Sequence, residues 1–216
     1  MLRTTPDCAD LERAAVLLGC AFAPAEPVDE ALRTVGTWLD MLADGCPADM
    51  AGLLAHVIGR HELRGATTNY YDPGNSMLHR IAATGCGMPI SLSLVVRLVG
   101  RRVGVDLDLI GLPGHVMVRS GDRWADPFSG PGVMSTRDAL DRWAQVTGRH
   151  SGQLRGQDVQ SMTPRQIVVR MLNNLTTEFA RRDDRFSLST AVRLRQTFDE
   201  FAGEQAQWAA WQSSWN

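Results

Sequence analysis

The chain carries only four cysteines, Cys8, Cys20, Cys46 and Cys86, and no two of them form a Cys-x-x-Cys pair. That leaves zinc-ribbon and thioredoxin chemistry without a motif, and in a reducing compartment all four are expected as thiols. Aromatic residues are sparse at 6%, and charge nearly balances, with 22 basic against 24 acidic residues and a formal net charge of -2. There is no basic footprint for nucleic acid and no run of like charge for an anionic membrane. Arg or Gly interrupts every apolar stretch well short of a membrane span. The opening Met1-Leu2-Arg3-Thr4-Thr5-Pro6-Asp7 lacks an apolar signal core, so a cytoplasmic protein is expected. Internal repeats, nucleotide loops and metal motifs are missing as well, and no cofactor or metal is expected.

What is present suffices for a core. The 216 residues are 44% hydrophobic, within the range of one domain. The expectation is a single domain over 1–216, with a helical N-terminal part (1–65), a central core (66–135) and a helical C-terminal part (136–216). Helices are predicted over Leu11 to Phe22, from Pro27 to Leu42 and from Pro47 to Val57. His56 and His61 are five apart, which puts them on different faces of an α-helix and makes them a poor metal pair. Ser76 is the expected N-cap of a helix from Met77 to Thr84, ended by Gly85. Pro89 opens a helix that stays apolar nearly all round, through Ile90, Leu92, Leu94, Val95, Leu98 and Val99, and is therefore buried.

After Gly104 the period changes to two. Strands are predicted at Val105 to Leu109, His115 to Arg119 and Arg123 to Asp126, the last two paired antiparallel across Ser120-Gly121-Asp122. In that hairpin His115 and Asp126 fall close across the ladder, as an orienting carboxylate requires. Later helices are expected from Ser135 or Thr136 to Val146, from Thr163-Pro164 to about 184 and from Leu188 to Phe201.

Cys8, Cys20 and Cys46 read as small buried hydrophobes. Cys86 differs, because it stands between Gly85 and Gly87, where packing asks for no sulfur. Just ahead of a helix N-terminus it is expected to feel unpaired amides and the positive end of the dipole, which favour a thiolate. Cys86, His115 and Asp126 then supply nucleophile, base and orienting group in chain order. Backbone amides at Cys86 and Gly87, and side-chain amides of Asn69 and Asn75, are candidate oxyanion donors. Ser91 is a rival nucleophile, one turn inside the buried helix.

Four runs carry a resemblance: Asn69-Tyr70-Tyr71-Asp72-Pro73-x-Asn75-Ser76, Gly87-x-Pro89-Ile90-Ser91-Leu92-Ser93, Gly111-Leu112-Pro113-Gly114-His115 and Asp126-Pro127-Phe128. Together they resemble the small bacterial transglutaminase-core-like family over roughly residues 65 to 135. The resemblance implies an α+β, helix-rich, papain-like core in which a buried nucleophile helix packs on a small antiparallel sheet bearing His115 and Asp126. Many members with the Gly-x-Pro-Ile-Ser run have no cysteine beside it, and here Cys86 fills that place. The branch keeping all three groups resembles the tetramate- and pyridone-forming Dieckmann cyclases of polyketide-peptide assembly lines. By that resemblance the substrate is a beta-ketoacyl-aminoacyl thioester on a carrier protein, and the product a tetramic acid.

Trp208, Trp211 and Trp215 share one face of an expected terminal helix. That face either clamps onto the domain or docks a carrier protein, a second subunit or a polyketide. Three classes remain open from the residues: a Dieckmann cyclase, a Cys-dependent hydrolase or acyltransferase of the same fold, and a non-catalytic interaction module.

Overall fold

The computed structural model describes residues 8–204 apart from Pro24 and Glu26. The Trp208, Trp211 and Trp215 face lies outside the described residues. The N-terminal helices are α1 (Cys8–Cys20), α2 (Val28–Ala43) and α3 (Met50–Leu54). Pro27 caps α2 and Asp29 and Glu30 sit in its first turn, at the positive end of the helix. Its buried stripe, Ala31, Val35, Leu39 and Leu42, follows the helical period. The third helix starts later than expected because Asp49 caps it, accepting from the amides of Ala51 and Gly52.

At Ala55 the helix widens into a π-helical turn, Ala55–Arg60, closed by the His61 amide on the His56 carbonyl at 3.1 Å. The chain then forms β1 (Arg64–Gly65), a 3-10 turn over Pro73–Ser76, α4 (Leu78–Thr84), β2 (Cys86–Gly87) and the central helix α5 (Pro89–Arg102). Gly85 ends α4 at a φ of 67°, in the left-handed region that glycine tolerates best. Met77, not Ser76, occupies the N-cap of α4. The Ser76 hydroxyl instead donates to both oxygens of Glu178, at 3.1 and 3.2 Å.

The sheet has the order β3 (Asp108–Ile110), β4 (Met117–Ser120), β5 (Arg123–Ala125) and β6 (Val133–Ser135), all antiparallel. Strand β3 begins three residues later than the alternation suggested, because the Val105 amide first turns back onto the Gly100 carbonyl at 2.7 Å. Strand β6 was not expected from a Gly- and Pro-rich stretch; it forms because Met134 finds Trp124 across the ladder. Strand alternation then sorts the side chains. Leu109, Val118 and Ala125 join the main core with α5, whereas Ile110, Met117 and Trp124 meet Ala139 and Trp143 of α6 (Thr136–Thr147) on the other face. The sheet is thus a middle layer between a buried helix and a surface helix.

Ser135 and Asp138 make a reciprocal capping box at the start of α6. Thr163 and Gln166 make another at α7 (Pro164–Arg181), whose apolar stripe runs through Ile167, Met171, Leu172, Leu175 and Phe179. Helix α8 (Arg185–Arg195) packs against α7. The architecture is the helix-rich α+β arrangement expected, with a small antiparallel sheet.

Candidate active site

His115 does not lie within β4; it ends the turn that precedes it. Its amide donates to the Leu112 carbonyl at 3.0 Å, and Gly114 takes a φ of 80° to close the turn. Three carbonyls of this turn are clamped from outside. The Trp143 indole donates to Pro113 at 2.9 Å, and Nη2 of Arg170 donates to Leu112 and His115 at 2.8 and 2.9 Å. The His115 backbone is therefore fixed by α6 and α7 as well as by its own turn.

Asp126 follows β5 directly. Extending the β4–β5 register, in which Val118 faces Ala125, puts His115 opposite Phe128 and makes Asp126 its diagonal neighbour on the same face. Diagonal partners are within reach of a long side chain. His115 Nε2 lies 2.9 Å from Asp126 Oδ2, with both residues only 2% exposed. The contact is close but oblique, so the ring nitrogen lacks a well-aligned hydrogen bond. Ser129 donates to Oδ2 at 2.6 Å and the Phe128 amide to Oδ1 at 3.1 Å. Burial alone would raise the Asp126 pKa; the His115 contact, then Ser129 and the Phe128 amide, outweigh it and hold the carboxyl below the ordinary carboxylate range.

A narrow pocket of about 90 Å³ opens on His115, walled by Tyr70, Gly114, Arg170 and Asn174 and by Met88, Pro89 and Ile90 at the start of α5. Cys86 is not part of this wall. It sits in β2, two residues before the Met88 N-cap, beyond the first turn where the helix dipole acts. Its strand partner is Arg64, while Gly65 pairs with Gly87. A Cβ on Gly65 would meet the Phe128 ring at 2.7 Å, and that ring stands edge-on to His115 with centroids 6.1 Å apart. Cys86 donates its amide to Thr84 Oγ1 at 3.3 Å, and its sulfur has no hydrogen bond among the described residues. The structure thus brings His115 and Asp126 together, while Cys86 lies in β2 and makes no hydrogen bond to either among the described residues.

The amide candidates are also placed. Both protons of the Asn75 side chain go to the carbonyls of Asn69 and Tyr70, at 3.0 and 3.2 Å, so its amide is not free to hold an oxyanion. Asn69 is exposed at a φ of 52°, a left-handed turn position that asparagine tolerates. Gly87 is buried, and a Cβ there would come within 3.0 Å of Leu92. The Ser91 hydroxyl is fully buried and has no hydrogen-bond partner among the described residues. Among the other cysteines Cys20 is buried as expected and Cys46 only half so.

A family model described as the transglutaminase-like superfamily matches residues 28–173, well over half of the chain. The chain belongs to the transglutaminase-like superfamily. The matched stretch contains Cys86, His115 and Asp126, and the fold is one typically built for a Cys–His–Asp enzyme, a Cys-dependent acyltransferase or hydrolase. Two relatives from Xylella fastidiosa, each named a UPF0162 protein, are 32% and 31% identical over 63% and 62% of this chain. The chain spans about half the length of these curated relatives, 51% and 50%. F-box only protein 21 of Mus musculus is 27% identical over 53% of this chain and 19% of its own length. No solved structure matches, and no described helix is long and apolar enough to cross a membrane.

Within this transglutaminase-like frame, one group on the pocket wall and one further along the same helix escaped the sequence reading. Arg170 and Glu178 both stand on α7, the first half-buried and the second buried. The signal was present as polar residues at helical spacing within an apolar stripe: Arg170 lies three after Ile167, and Glu178 three after Leu175. Loss of solvent around the side chain pushes the Arg170 guanidinium below its ordinary range, and burial pushes the Glu178 carboxyl up to about 7, the latter against the Ser76 hydrogen bond.

Proposed function

We propose that this chain is a binding member of the transglutaminase-like superfamily, which recognises a polar, amide-bearing chain at the His115–Asp126 pocket without attacking it. One observation carries the reading. At the mouth of α5, where attack next to His115 would need a nucleophile, the wall is Met88-Pro89-Ile90, and the Cys86 sulfur makes no hydrogen bond to the imidazole. An acyl-transfer nucleophile works within hydrogen-bond reach of its base.

The chemistry of the ligand follows from the adjoining groove. A cleft of about 810 Å³ shares Gly114, Arg170 and Asn174 with the His115 pocket. Its further lining includes Gln157 and Gln160, beside Gln166 and Asn173, whose side-chain oxygens already accept from the Thr163 amide and from Arg195. Carboxamides offer donors and acceptors side by side, which complements an extended peptide-like backbone better than a polyketide tail.

A second reading keeps Cys86 as nucleophile. It draws on the order Cys86, His115, Asp126 within the matched family stretch, and its finest form is the Dieckmann cyclase. His115 takes the Cys86 proton, the sulfur adds to the thioester of a beta-ketoacyl-aminoacyl chain, and the C–S bond to the carrier breaks as His115 gives that proton to the departing carrier sulfur. His115 then takes the proton between the two carbonyls, the carbanion attacks the acyl-enzyme carbonyl, and the C–S bond breaks as the C–C bond closes the tetramic acid ring. The partner in that reading is a carrier protein, with the Trp208, Trp211 and Trp215 face as its dock. This reading requires the Cys86 sulfur to come within hydrogen-bond reach of His115.

One experiment separates them: an N-(beta-ketoacyl)-aminoacyl thioester mimic is incubated with the protein and with Cys86→Ala, and iodoacetamide labelling of Cys86 and Cys46 is timed beside it. The binding reading expects an intact thioester and no faster labelling at Cys86 than at Cys46. A cyclised product that disappears in Cys86→Ala would establish the Dieckmann reading, and the free acid the hydrolase; either outcome removes the binding proposal.

A further inference from the structure

Arg170 uses only one side of its guanidinium within the fold. Its Nη2 group donates to the carbonyls of Leu112 and His115 at 2.8 and 2.9 Å, which occupies both hydrogens of that nitrogen. Among the described residues its Nη1 group makes no hydrogen bond, and no carboxylate pairs with the guanidinium. Nη1 stands against Gly111, where a Cβ would come to 3.4 Å from it, so the missing side chain leaves that nitrogen open to the cleft both residues line. Carbonyls satisfy hydrogen bonds but bring no charge, and a half-buried cation without a counter-ion is costly. The Tyr70 hydroxyl is a second unused donor on the wall of the His115 pocket. It makes no hydrogen bond among the described residues, and it lies close enough to feel the Arg170 charge.

We infer that Arg170 and Tyr70 hold the terminal carboxylate of a peptide chain, seated in the His115 pocket with the rest of the chain along the adjoining cleft; this rests on the binding reading of that site. Size argues for a chain end. The pocket of about 90 Å³ beside His115 holds a group of a few heavy atoms, while the cleft of about 810 Å³ that continues past Gly114, Arg170 and Asn174 has room for the chain behind it. Charge argues for an anion at that end. Asp126 is not part of the pocket wall, and its oxygens already take Ser129, the Phe128 amide and the His115 contact. Asp158 is the one carboxylate among the residues lining pocket and cleft, and its Oδ2 accepts the Arg155 amide. Fixed geometry is the third reason. With Nη2 held by two carbonyls of one turn, Nη1 is aimed before a ligand arrives, which lowers the cost of binding, and charge-assisted hydrogen bonds to a carboxylate are roughly twice as strong as neutral ones.

The test measures retention of peptides on the immobilised full chain. Three pools of fluorescent random hexapeptides differ only at the end: a free carboxylate, a carboxamide, and a carboxamide preceded by a fixed glutamate. The free-acid pool is expected to bind about ten-fold more tightly than the carboxamide pool. Tyr70→Phe, which removes only the hydroxyl, should cut that preference by about three-fold or more and leave the carboxamide pool unchanged, and Arg170→Gln should abolish it. Because Arg170 also clamps the His115 turn, Tyr70→Phe decides the matter if Arg170→Gln fails to fold. Equal binding of the acid and carboxamide pools would overturn the carboxylate site and leave the binding reading standing, whereas retention of no pool would remove both. An acid preference that survives intact in Tyr70→Phe, or that the glutamate pool matches, would also overturn the site.

Discussion

Single residues hold the unusual charges of this molecule in check. Asp126 and Glu178 are both buried carboxyls, yet they move in opposite directions because their partners differ. Asp126 collects a histidine, a hydroxyl and an amide; Glu178 has the Ser76 hydroxyl on both oxygens and the carboxylate of Asp72 nearby. Glu178 keeps its proton up to about pH 7 in the folded chain, whereas an unfolded glutamate releases it near 4.3. Between those values the folded state binds the extra proton, so Glu178 makes stability fall as pH rises from below 5 to about 7. Glu178→Gln removes that slope. Denaturant unfolding should find the variant close to the parent at pH 5 and more stable at pH 8, by on the order of 2 kcal/mol. Asp126 works the other way: its contribution is present above the unfolded carboxyl pKa and is lost as pH falls through its lowered folded value.

At the scale of elements, β1 and β2 are two-residue strands whose position depends on having no side chains at the contact. A Cβ at Gly65 would stand 2.6 Å from the Phe128 carbonyl oxygen and 2.7 Å from its ring. Backbone cannot yield there cheaply, so Gly65→Ala should cost about 1–3 kcal/mol and displace Phe128 from the edge of His115. Gly36 in the middle of α2 is the contrast. Its Cβ would meet only Glu12 Oε1 at 3.9 Å, so Gly36→Ala should stabilise by about 0.5–1 kcal/mol through helix propensity. Thermal melts of the two variants check the pair, and the ring resonances of His115 report whether Phe128 has moved.

Across the whole molecule α7 links the core to the candidate site. One face carries Ile167, Met171, Leu172 and Leu175 into the main core, while Arg170 reaches the His115 turn and Glu178 the Ser76 turn. The Ser76 turn connects onward, since the Asn75 carbonyl accepts the Met88 amide at 2.9 Å at the mouth of α5. Loss of packing under α7 should therefore reach both turns. Leu175→Ala, at a position with no exposure, should cost about 2–5 kcal/mol; Leu17→Ala, on an exposed leucine, should stay within about 0.5 kcal/mol. Chemical denaturation measures the difference.

The sequence by itself determined the helices α1, α2, α5, α6 and α7, the hairpin bearing His115 and Asp126, and the pairing of those two groups. Each of these rests on local signals: a cap, a proline at the first turn, a period of 3.6 or 2, and a tight Gly-containing turn, although the sequence placed that turn at Ser120-Gly121-Asp122 and the structure narrows it to Gly121-Asp122 by pairing Ser120 with Arg123. Tertiary structure alone decided the rest. Where a thiol three residues before a helix stands relative to the histidine is not written in the spacing of Cys86, His115 and Asp126. The widened turn that joins His56 to His61 breaks the helical period on which the sequence reading relied. Arg170 and Glu178 meet turns some 55 and 102 residues away in the chain, and contacts over such separations are fixed only when the whole core closes.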